Sequence, residues 1–187
     1  MAHSTDPSIT IQLAMPEDID GILSLEAENK IARGGLLVSS LTSEYLSAIL
    51  NELPLIIAKQ SDRVHGFLII SDQQMNRDSP IMQAMLSVYS ASPDAWICGP
   101  VCVRSEFRGM GLFRAMVTRL KQELAGGDVV LFIRADNSAS VRAHTSVGFR
   151  QVASFAFGGH SFLIFAATLP IHRPTAADRH SHASHAE

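Results

Sequence analysis

The chain has 187 residues, 47% hydrophobic and 18% charged, which is enough apolar material for one globular domain with a sizeable core. Its formal net charge of −3, with scattered basic residues, does not indicate the concentrated basic face of a nucleic-acid-binding protein. No apolar run approaches the ~20 residues of a membrane span, and the first ten residues do not resemble a signal peptide. The composition therefore predicts a soluble, cytoplasmic protein.

Strand-like and helix-like hydrophobic patterns alternate along the chain. Pro16, followed by two acids, predicts the start of a first helix. Ser39 and Ser40 can cap a second helix, and a flexible joint at residues 33–35 separates the two. We predict strands at residues 9–15, 55–59, 64–70, 96–103, 129–133, 149–157 and 161–168, and helices at residues 16–29, 41–51, 81–89, 112–125 and 137–147.

This order of elements predicts a single α/β (α+β) domain over residues 9–169, with helices on both faces of a mixed sheet. The second and third strands should form a hairpin, and so should the last two. The wholly apolar fifth strand is typical of a strand covered on both faces. Residues 1–8 are predicted to be a flexible lead-in and the polar, His-rich residues 170–187 a disordered tail.

Neither a disulfide nor a metal site is predicted. Cys98 and Cys102 lie on one predicted strand, about 13 Å apart at its usual rise, which is too far for a disulfide. We therefore expect two buried free thiols. His180, His182 and His185 resemble a metal-binding tail, but a disordered tail is the favoured interpretation.

The stretch from Trp96 to Phe113 predicts a buried strand, a glycine-rich turn and a helix start. Gly99-Pro100 interrupts the strand and predicts a bulge, because proline removes a ladder donor. Free amides and the positive end of the helix dipole converge where such a turn enters a helix, and this suits a phosphate. The turn and helix start comprise Arg108, Gly109, Met110, Gly111, Leu112 and Phe113.

A second group of polar side chains follows the fifth strand. Asn137, Ser140 and His144 fall at i, i+3 and i+7 of a predicted helix and therefore share one face. Gly148-Phe149 ends this segment. A polar stripe at this place in the fold predicts a face directed toward a cleft.

Together the two motifs resemble those of the GCN5-related N-acetyltransferase (GNAT) family. The turn is similar to that family's acetyl-CoA pyrophosphate loop, Arg/Gln-x-x-Gly-x-Gly/Ala. The second group is similar to its Asn-x-x-Ala/Ser…Tyr…Gly-Phe pattern, and the element order matches to about residue 168. The resemblance implies a mixed, mostly antiparallel sheet, and acetyl-CoA as the cosubstrate.

The resemblance also implies roles for individual residues. The pantetheine arm would pair with the backbone of Val101, Cys102 and Val103, where neighbouring strands splay. The pyrophosphate would take the amides of residues 108–113. Asn137 would contact the pantetheine, and Ser140 and His144 would lie near the cofactor. An amine would attack the thioester directly in a ternary complex. The enzyme would then have to supply a base for the amine's proton, a contact for the oxyanion and an acid for the leaving thiolate.

Two positions depart from the family pattern. Phe113 stands where the family usually has Gly or Ala; its side chain either turns into the core or loosens the phosphate contact. His144 stands where many members have the Tyr that protonates the leaving thiolate. It is either the general acid or a residue that only makes a hydrogen bond on the helix face. The strand before the loop carries no carboxylate, and Asp72, Asp94 and Glu106 are interpreted as solvated loop acids.

The sequence supports three functional alternatives. The first is acetyl transfer to a primary amine, and the second is a catalytically silent acyl-CoA-binding sensor or interaction module. The third is transfer of a longer acyl chain. Metabolite amines, antibiotics, peptide N-termini and lysines all stay open as acceptors, and so does a homodimer. Residues 72–93 are longer than a hairpin needs, so we expect them to shape the acceptor site together with residues 29–40.

Overall fold

The computed structural model describes residues 8–124 and 126–169, so most of the predicted lead-in and the whole predicted tail lie outside the described residues. Strands and helices follow the predicted order. The strands are β1 (Thr10–Leu13), β2 (Ile56–Gln60), β3 (Arg63–Ser71), β4 (Trp96–Val103), β5 (Gly127–Arg134), β6 (Arg150–Phe157) and β7 (His160–Leu169). The helices are α1 (Ile19–Glu28), α2 (Ser43–Glu52), α3 (Pro80–Val88), α4 (Leu112–Glu123) and α5 (Ser138–Ser146).

The strands form one sheet in the order β1-β2-β3-β4-β5-β7-β6. Every neighbouring pair is antiparallel except β4 and β5, which are parallel. The predicted mixed, mostly antiparallel sheet is therefore confirmed, and so are both predicted hairpins. In β5, Val129, Val130 and Leu131 are all buried, as a strand covered on both faces requires.

Helices cover both faces of the sheet. Side chains alternate along β3, so Phe67 and Ile69 pack with α1 and α2 while Leu68 and Ile70 pack with α4. On the α1 and α2 face, α3 covers the other end of the sheet through Met85. We call this the α1–α3 face; its opposite carries α4 and α5. On the α1–α3 face, β4 lies between the region covered by α2 and the region covered by α3.

The start of α2 differs from the prediction. Thr42 is the N-cap, and its hydroxyl accepts a hydrogen bond from the amide of Tyr45 at 3.1 Å. Ser39 instead donates to the buried carboxylate of Glu26 at 3.0 Å, and the amide of Leu41 donates to the same oxygen. The predicted cap at Ser39-Ser40 is therefore wrong, because a buried carboxylate from α1 competes for these groups. Such a long-range partner leaves no local pattern in the sequence.

Candidate functional site

A gap opens between the two parallel strands at the centre of the sheet. Within the described chain, β4 pairs with β5 only at Trp96–Val129 and Ile97–Val130, although both strands run on for several residues. The pairing of β4 with β3 also shifts register opposite Gly99-Pro100, which confirms the predicted bulge. The strands therefore separate where the family resemblance implied that they splay.

The backbone of β4 presents an open edge to this gap. The amide of Arg104 donates to the carbonyl of His65 at 2.7 Å, so at this residue the backbone is directed toward β3. Because peptide groups alternate along a strand, Cys102 is directed toward β3 as well, whereas Val101 and Val103 are directed toward the gap. The Val103 carbonyl already accepts from Nε of Arg108 at 3.0 Å. Both peptide groups of Val101 and the amide of Val103 are thus directed toward an incoming ligand.

The glycine turn lies at the end of the same strand. Gly109 and Gly111 have φ values of 77° and 83°, which favour glycine, and a Cβ built on either would meet no atom within 4 Å. Gly111 is the N-cap of α4, and helical hydrogen bonding begins with the Ala115 amide, so the amides before it in the first turn stay free for a ligand. The amide of Arg108, by contrast, donates to Ser105 at 3.2 Å. The turn is an open cradle of amides at the positive end of a twelve-residue helix.

Phe113 turns its side chain into the protein. Its ring lies 4.6 Å from the ring of His144 between centroids, and it packs against the core on the α4 and α5 face. The amide of Phe113 stays in the first turn of α4. Of the two alternatives for Phe113, the structure has the one that keeps the phosphate cradle open.

The second polar group forms the start and inner face of α5, directly after β5. Asn137 is its N-cap, and its side-chain oxygen accepts from the amide of Ser140 at 3.1 Å. Nδ1 of His144 lies 2.8 Å from the carbonyl oxygen of Ser140. Since a carbonyl can only accept, Nδ1 carries the proton and Nε2 of the neutral ring is an acceptor. The three side chains share one face, as the spacing predicted.

His144 is buried, with Phe113 on one side and Phe149 on the other at 5.7 Å between ring centroids. Burial lowers the pKa of His144, and the hydrogen bond to the Ser140 carbonyl opposes this shift only in part. The neutral imidazole is therefore the favoured state at neutral pH.

The loop acids differ in exposure. Asp94 and Glu106 are exposed. The Ser105 hydroxyl donates to Glu106 at 2.6 Å, and this hydrogen bond is the largest cause that lowers the pKa of Glu106. Asp72 is half-buried at the end of β3 and accepts from the amide of Met75 at 2.7 Å. Glu106 and Asp94 thus have the surroundings of solvated acids, whereas Asp72 has one carboxylate oxygen held inside a turn.

Polar side chains on the α1–α3 face lie level with the last paired residues of β4 and β5. Ser71 is fully buried and pairs with Ile97, which in turn pairs with Val130. The Ser71 hydroxyl accepts from Asn76 at 2.7 Å and interacts with the Tyr45 hydroxyl. Burial raises the pKa of Tyr45, so its phenol is uncharged at neutral pH.

A cavity of about 500 Å³ adjoins this row of residues and extends toward the starts of β4 and β5. It reaches Val130 and is bordered by Tyr89 and Ser92 from the segment at residues 72–93. Asp128 and Arg150 supply charged groups to its wall. It does not border residues 101–103 or the glycine turn, so it is separate from the cradle described above.

Two long-range contacts near the site could not be inferred from spacing. Arg104 forms an ion pair with Glu28 at 2.7 Å, and Arg108 donates to the side-chain oxygen of Asn29 at 2.6 Å. Both join the end of α1 to the loop after β4. Asn29 directly follows a helix pattern, which marks it as a cap, but its partner is 79 residues away in the sequence.

The cysteines are both buried free thiols. Burial raises the pKa of Cys98 to about 12 and that of Cys102 to about 11, so neither is a thiolate nucleophile at neutral pH. In the described ranges, no group of three or more His, Cys, Asp or Glu side chains has an arrangement that could hold a metal ion. His180, His182 and His185 lie outside those ranges. None of the described helices combines the length and apolar character that a membrane crossing requires.

Comparison with known proteins gives the same fold. The family model described as FR47-like protein matches residues 82–157, which contain both motifs. The yncA protein of Salmonella typhimurium, solved with its cofactor acetyl-CoA, is 19% identical with a TM-score of 0.66 and covers 90% of this chain and 99% of its own. A GNAT-family acetyltransferase of Streptococcus agalactiae is 16% identical with a TM-score of 0.64, covering 86% and 95%.

The ribosomal-protein-S18-alanine N-acetyltransferase of Escherichia coli is 16% identical with a TM-score of 0.62, covering 89% of this chain and 97% of its own. No curated protein matches the sequence. The fold implied by the two motifs is therefore confirmed, and the segment that carries them is similar to the FR47-like family.

Proposed function

Because the chain has the fold of the GCN5-related N-acetyltransferases and carries an FR47-like segment, we propose that it moves the acetyl group of acetyl-CoA to a primary amine. The observation that carries this proposal is the open edge of β4 beside the glycine turn. The gap offers backbone groups to an amide-containing chain, and the turn offers amides to a phosphate. A pantetheine arm linked to a pyrophosphate has both features in that order.

The reaction needs no group other than acetyl-CoA and the amine. The amine nitrogen attacks the thioester carbonyl, a C–N bond forms and the C–S bond breaks. The nitrogen loses one proton and the leaving thiolate gains one. A donor near the carbonyl oxygen would stabilise the negative charge that develops there.

In the bound complex, the pantetheine arm would pair with Val101 and the amide of Val103, while Cys102 supports the strand from the β3 side. The pyrophosphate would take the amides of residues 109–113. The acetyl-CoA held by the yncA protein, which has the same fold, supports this arrangement. Asn137 and Ser140 would border the arm from α5, on the other side of the gap.

His144 is the candidate general acid. Its Nδ1 proton is held by the Ser140 carbonyl, so the proton to be donated would arrive first at Nε2. An imidazolium with a lowered pKa is a readier donor to a thiolate than an ordinary one, although less of it is present at neutral pH.

The amine is proposed to approach from the α1–α3 face. The row through Ser71, Ile97 and Val130 marks where the gap closes, and a thioester at the tip of the arm would lie near it. The cavity bordered by Tyr89 and Ser92 opens beside the same row. This supports the part of the prediction that assigns residues 72–93 to the acceptor site. The part that concerns residues 29–40 rests on the contact of Asn29 with Arg108 beside the gap.

A thiol-release assay tests the proposal. The purified chain is mixed with acetyl-CoA and each of four amines: free lysine, spermidine, an aminoglycoside and a peptide with an N-terminal alanine. Released CoA is measured with a thiol-reactive dye, and acetyl-CoA affinity by calorimetry. We expect binding, with release that depends on one class of amine.

Other outcomes separate the alternatives. Binding without release across the panel favours the silent acyl-CoA-binding module. Faster release from octanoyl-CoA than from acetyl-CoA favours a longer acyl donor. Failure to bind either thioester contradicts all three functions.

Two glycines give a matched pair of variants for the cofactor site. Gly109 and Gly159 both have a φ of 77° and open space where a Cβ would lie, so Ala costs each about 1–2 kcal/mol of backbone strain. Only Gly109 lies in the proposed pyrophosphate cradle. We expect Gly109→Ala to weaken acetyl-CoA binding by at least about tenfold, a change of about 1.4 kcal/mol, and Gly159→Ala to leave it unchanged. Equal affinities for the two variants would refute the cradle.

A further inference from the structure

Asn29 joins three parts of the molecule. It ends α1, where its side-chain amide donates to the carbonyl of Leu25 at 2.8 Å. Its side-chain oxygen accepts from Nη2 of Arg108 at 2.6 Å. Its backbone carbonyl accepts from the amide of Leu37 at 3.2 Å. One residue thus contacts the end of α1, the loop after β4 and the segment between α1 and α2.

Arg108 extends this contact into the gap. Its Nε donates to the Val103 carbonyl at 3.0 Å, while its Nη2 holds Asn29. A guanidinium is planar and rigid, so these two bonds fix the relative positions of the strand edge and the end of α1. The backbone of Arg108 begins the glycine turn. A shift of that turn therefore reaches Asn29 through one side chain.

The α1–α2 connection, residues 29–42, is folded tightly onto Asn29. A Cβ on Gly35 would lie 1.8 Å from the carbonyl oxygen of Asn29, so only glycine fits there. The amides of Arg33 and Gly35 both donate to the Lys30 carbonyl, and Gly34 adopts the left-handed conformation. The predicted joint is thus a defined turn with its own hydrogen bonds.

The far end of the connection is anchored by Glu26 of α1, which is buried. Its carboxylate accepts from Ser39 at 3.0 Å and from the amide of Leu41 at 3.2 Å, and it pairs with Lys30 at 3.2 Å. The connection is therefore attached at both ends. Between the two attachments, Leu37 packs on the core, whereas three other apolar residues, Ile31, Leu36 and Val38, are exposed by 46%, 40% and 41%.

A second bond keeps the end of α1 and the loop after β4 together. Arg104, which is buried, pairs with Glu28 at 2.7 Å and also donates to the Val64 carbonyl at 3.4 Å. Glu28 and Asn29 are adjacent, so the last turn of α1 holds both arginines of the loop. The loop and the last turn of α1 behave as one unit.

We propose that Asn29 is a positioning residue that couples occupancy of the glycine turn to the order of the α1–α2 connection. This inference rests on the proposed function. A pyrophosphate bound by the amides of the turn restrains Arg108, Arg108 restrains Asn29, and Asn29 holds the connection through Leu37 and Gly35. The connection and its exposed apolar side chains are then held more firmly for the acceptor when the cofactor is bound. Linkage makes the effect reciprocal, so a bound acceptor would tighten cofactor binding by the same factor.

Hydrogen exchange of the full chain, with and without CoA, tests the coupling without knowledge of the acceptor. In the wild-type chain, we expect CoA to slow exchange both in the turn (residues 109–113) and at the amides of Gly35, Leu37 and Leu41. Coupling between two binding sites commonly changes the affinity of each ligand by about fivefold or more. In Asn29→Ala, we expect the slowing in the turn to persist and that in the connection to disappear.

Two further variants test whether the side chain of Asn29 transmits the coupling. Asn29→Asp keeps an oxygen for Arg108 and loses only the donor to Leu25, so it should keep the slowing in the connection. Asn76→Ala removes an asparagine of similar type, whose amide donates to Ser71 and to the Asp72 carbonyl away from the turn. It should behave like the wild-type chain.

The outcomes separate this inference from the proposed function. No slowing anywhere in the wild-type chain means that CoA does not bind, and the proposed function fails. Slowing confined to the turn overturns the coupling alone, and this comparison needs no variant to fold. Slowing of the connection that survives in Asn29→Ala shows that Asn29 is not its carrier and also overturns the proposal.

Discussion

His144 is enclosed by Phe113 and Phe149, and its Nδ1–H donates a hydrogen bond to the Ser140 carbonyl. Nε2 is therefore the one ring atom that can exchange a proton with a substrate. This environment favours a neutral ring at rest, since burial lowers the pKa. A residue of this kind can take up a proton only briefly and passes it on readily. Such behaviour fits a proton donor that is recharged in each cycle.

Replacement of His144 separates the general acid from a residue with only a structural role. We expect His144→Gln to reduce kcat by about 100-fold, the lower range for loss of an acid or base, with little change in the acetyl-CoA Kd. His65→Gln is the matched control, because His65 is also buried and packs on a phenylalanine ring, Phe107, at 4.2 Å. Steady-state kinetics and calorimetry measure both. If the kcat of His144→Gln lies within about threefold of that of the control, His144 is not the general acid and only makes its hydrogen bond on the helix face.

Residues whose role depends on the local backbone were the ones that the sequence predicted best. Gly109 and Gly111 lie where a strand pattern enters a helix pattern, and both have the positive φ that glycine favours. The orientation of Phe113 was undecided, because it depends on the ring of His144, 31 positions later in the chain. The family resemblance implied a role for the backbone amide of Arg108, whereas the structure shows its side chain bound to Val103 and Asn29. Contacts over such separations have no period or spacing by which a sequence reveals them.

At the level of elements, α3 leads directly into the residues that border the cavity, among them Tyr89 and Ser92. Its buried residue, Met85, packs with β4, β5 and the last hairpin, so replacement of the whole segment would disturb the core. The hydrophobic spacing was sufficient to predict this helix and the other four. It could not predict the N-cap of α2, because Glu26 binds the Ser39 hydroxyl and the Leu41 amide, which lie just before that position.

A pair of serine variants tests whether the segment at residues 72–93 selects the acceptor. Ser92 borders the cavity, whereas Ser87 is exposed on α3 away from it. We expect Ser92→Leu to change the ratio of kcat/KM between two amines of the panel by at least about tenfold, since a filled cavity excludes bulky groups. Ser87→Leu should leave the ratio unchanged. If the two variants give the same ratio as the wild-type chain, the cavity does not serve the acceptor.

For the molecule as a whole, two buried histidines link stability to pH. Burial lowers the pKa of both His65 and His144, and for His65 the nearby charge of Arg104 adds to the effect. In the unfolded chain both would titrate near 6.5. Below that pH the unfolded state therefore binds more protons than the folded state, and the free energy of unfolding falls as pH falls.

Urea denaturation at pH 7.5, 6.5 and 5.5 measures this dependence. We expect the free energy of unfolding to be highest at pH 7.5 and to decline toward pH 5.5, by up to about 1.4 kcal/mol per pH unit for each histidine. The His65→Phe/His144→Phe double variant should show a shallower decline, whatever its absolute stability. An equal decline in both proteins would mean that neither histidine is the source.

The short ladder between β4 and β5 also bears on how the chain folds. β1 to β4 are consecutive in the sequence and pair in order, whereas β5 to β7 are added through only two residue pairs. During synthesis at roughly 5–20 residues per second, the first four strands leave the ribosome about 1–5 seconds before β5 begins. They and α1 and α2 already possess a buried core of their own. The gap between β4 and β5, where we propose that the cofactor binds, thus also divides the nascent chain into an early half and a late half.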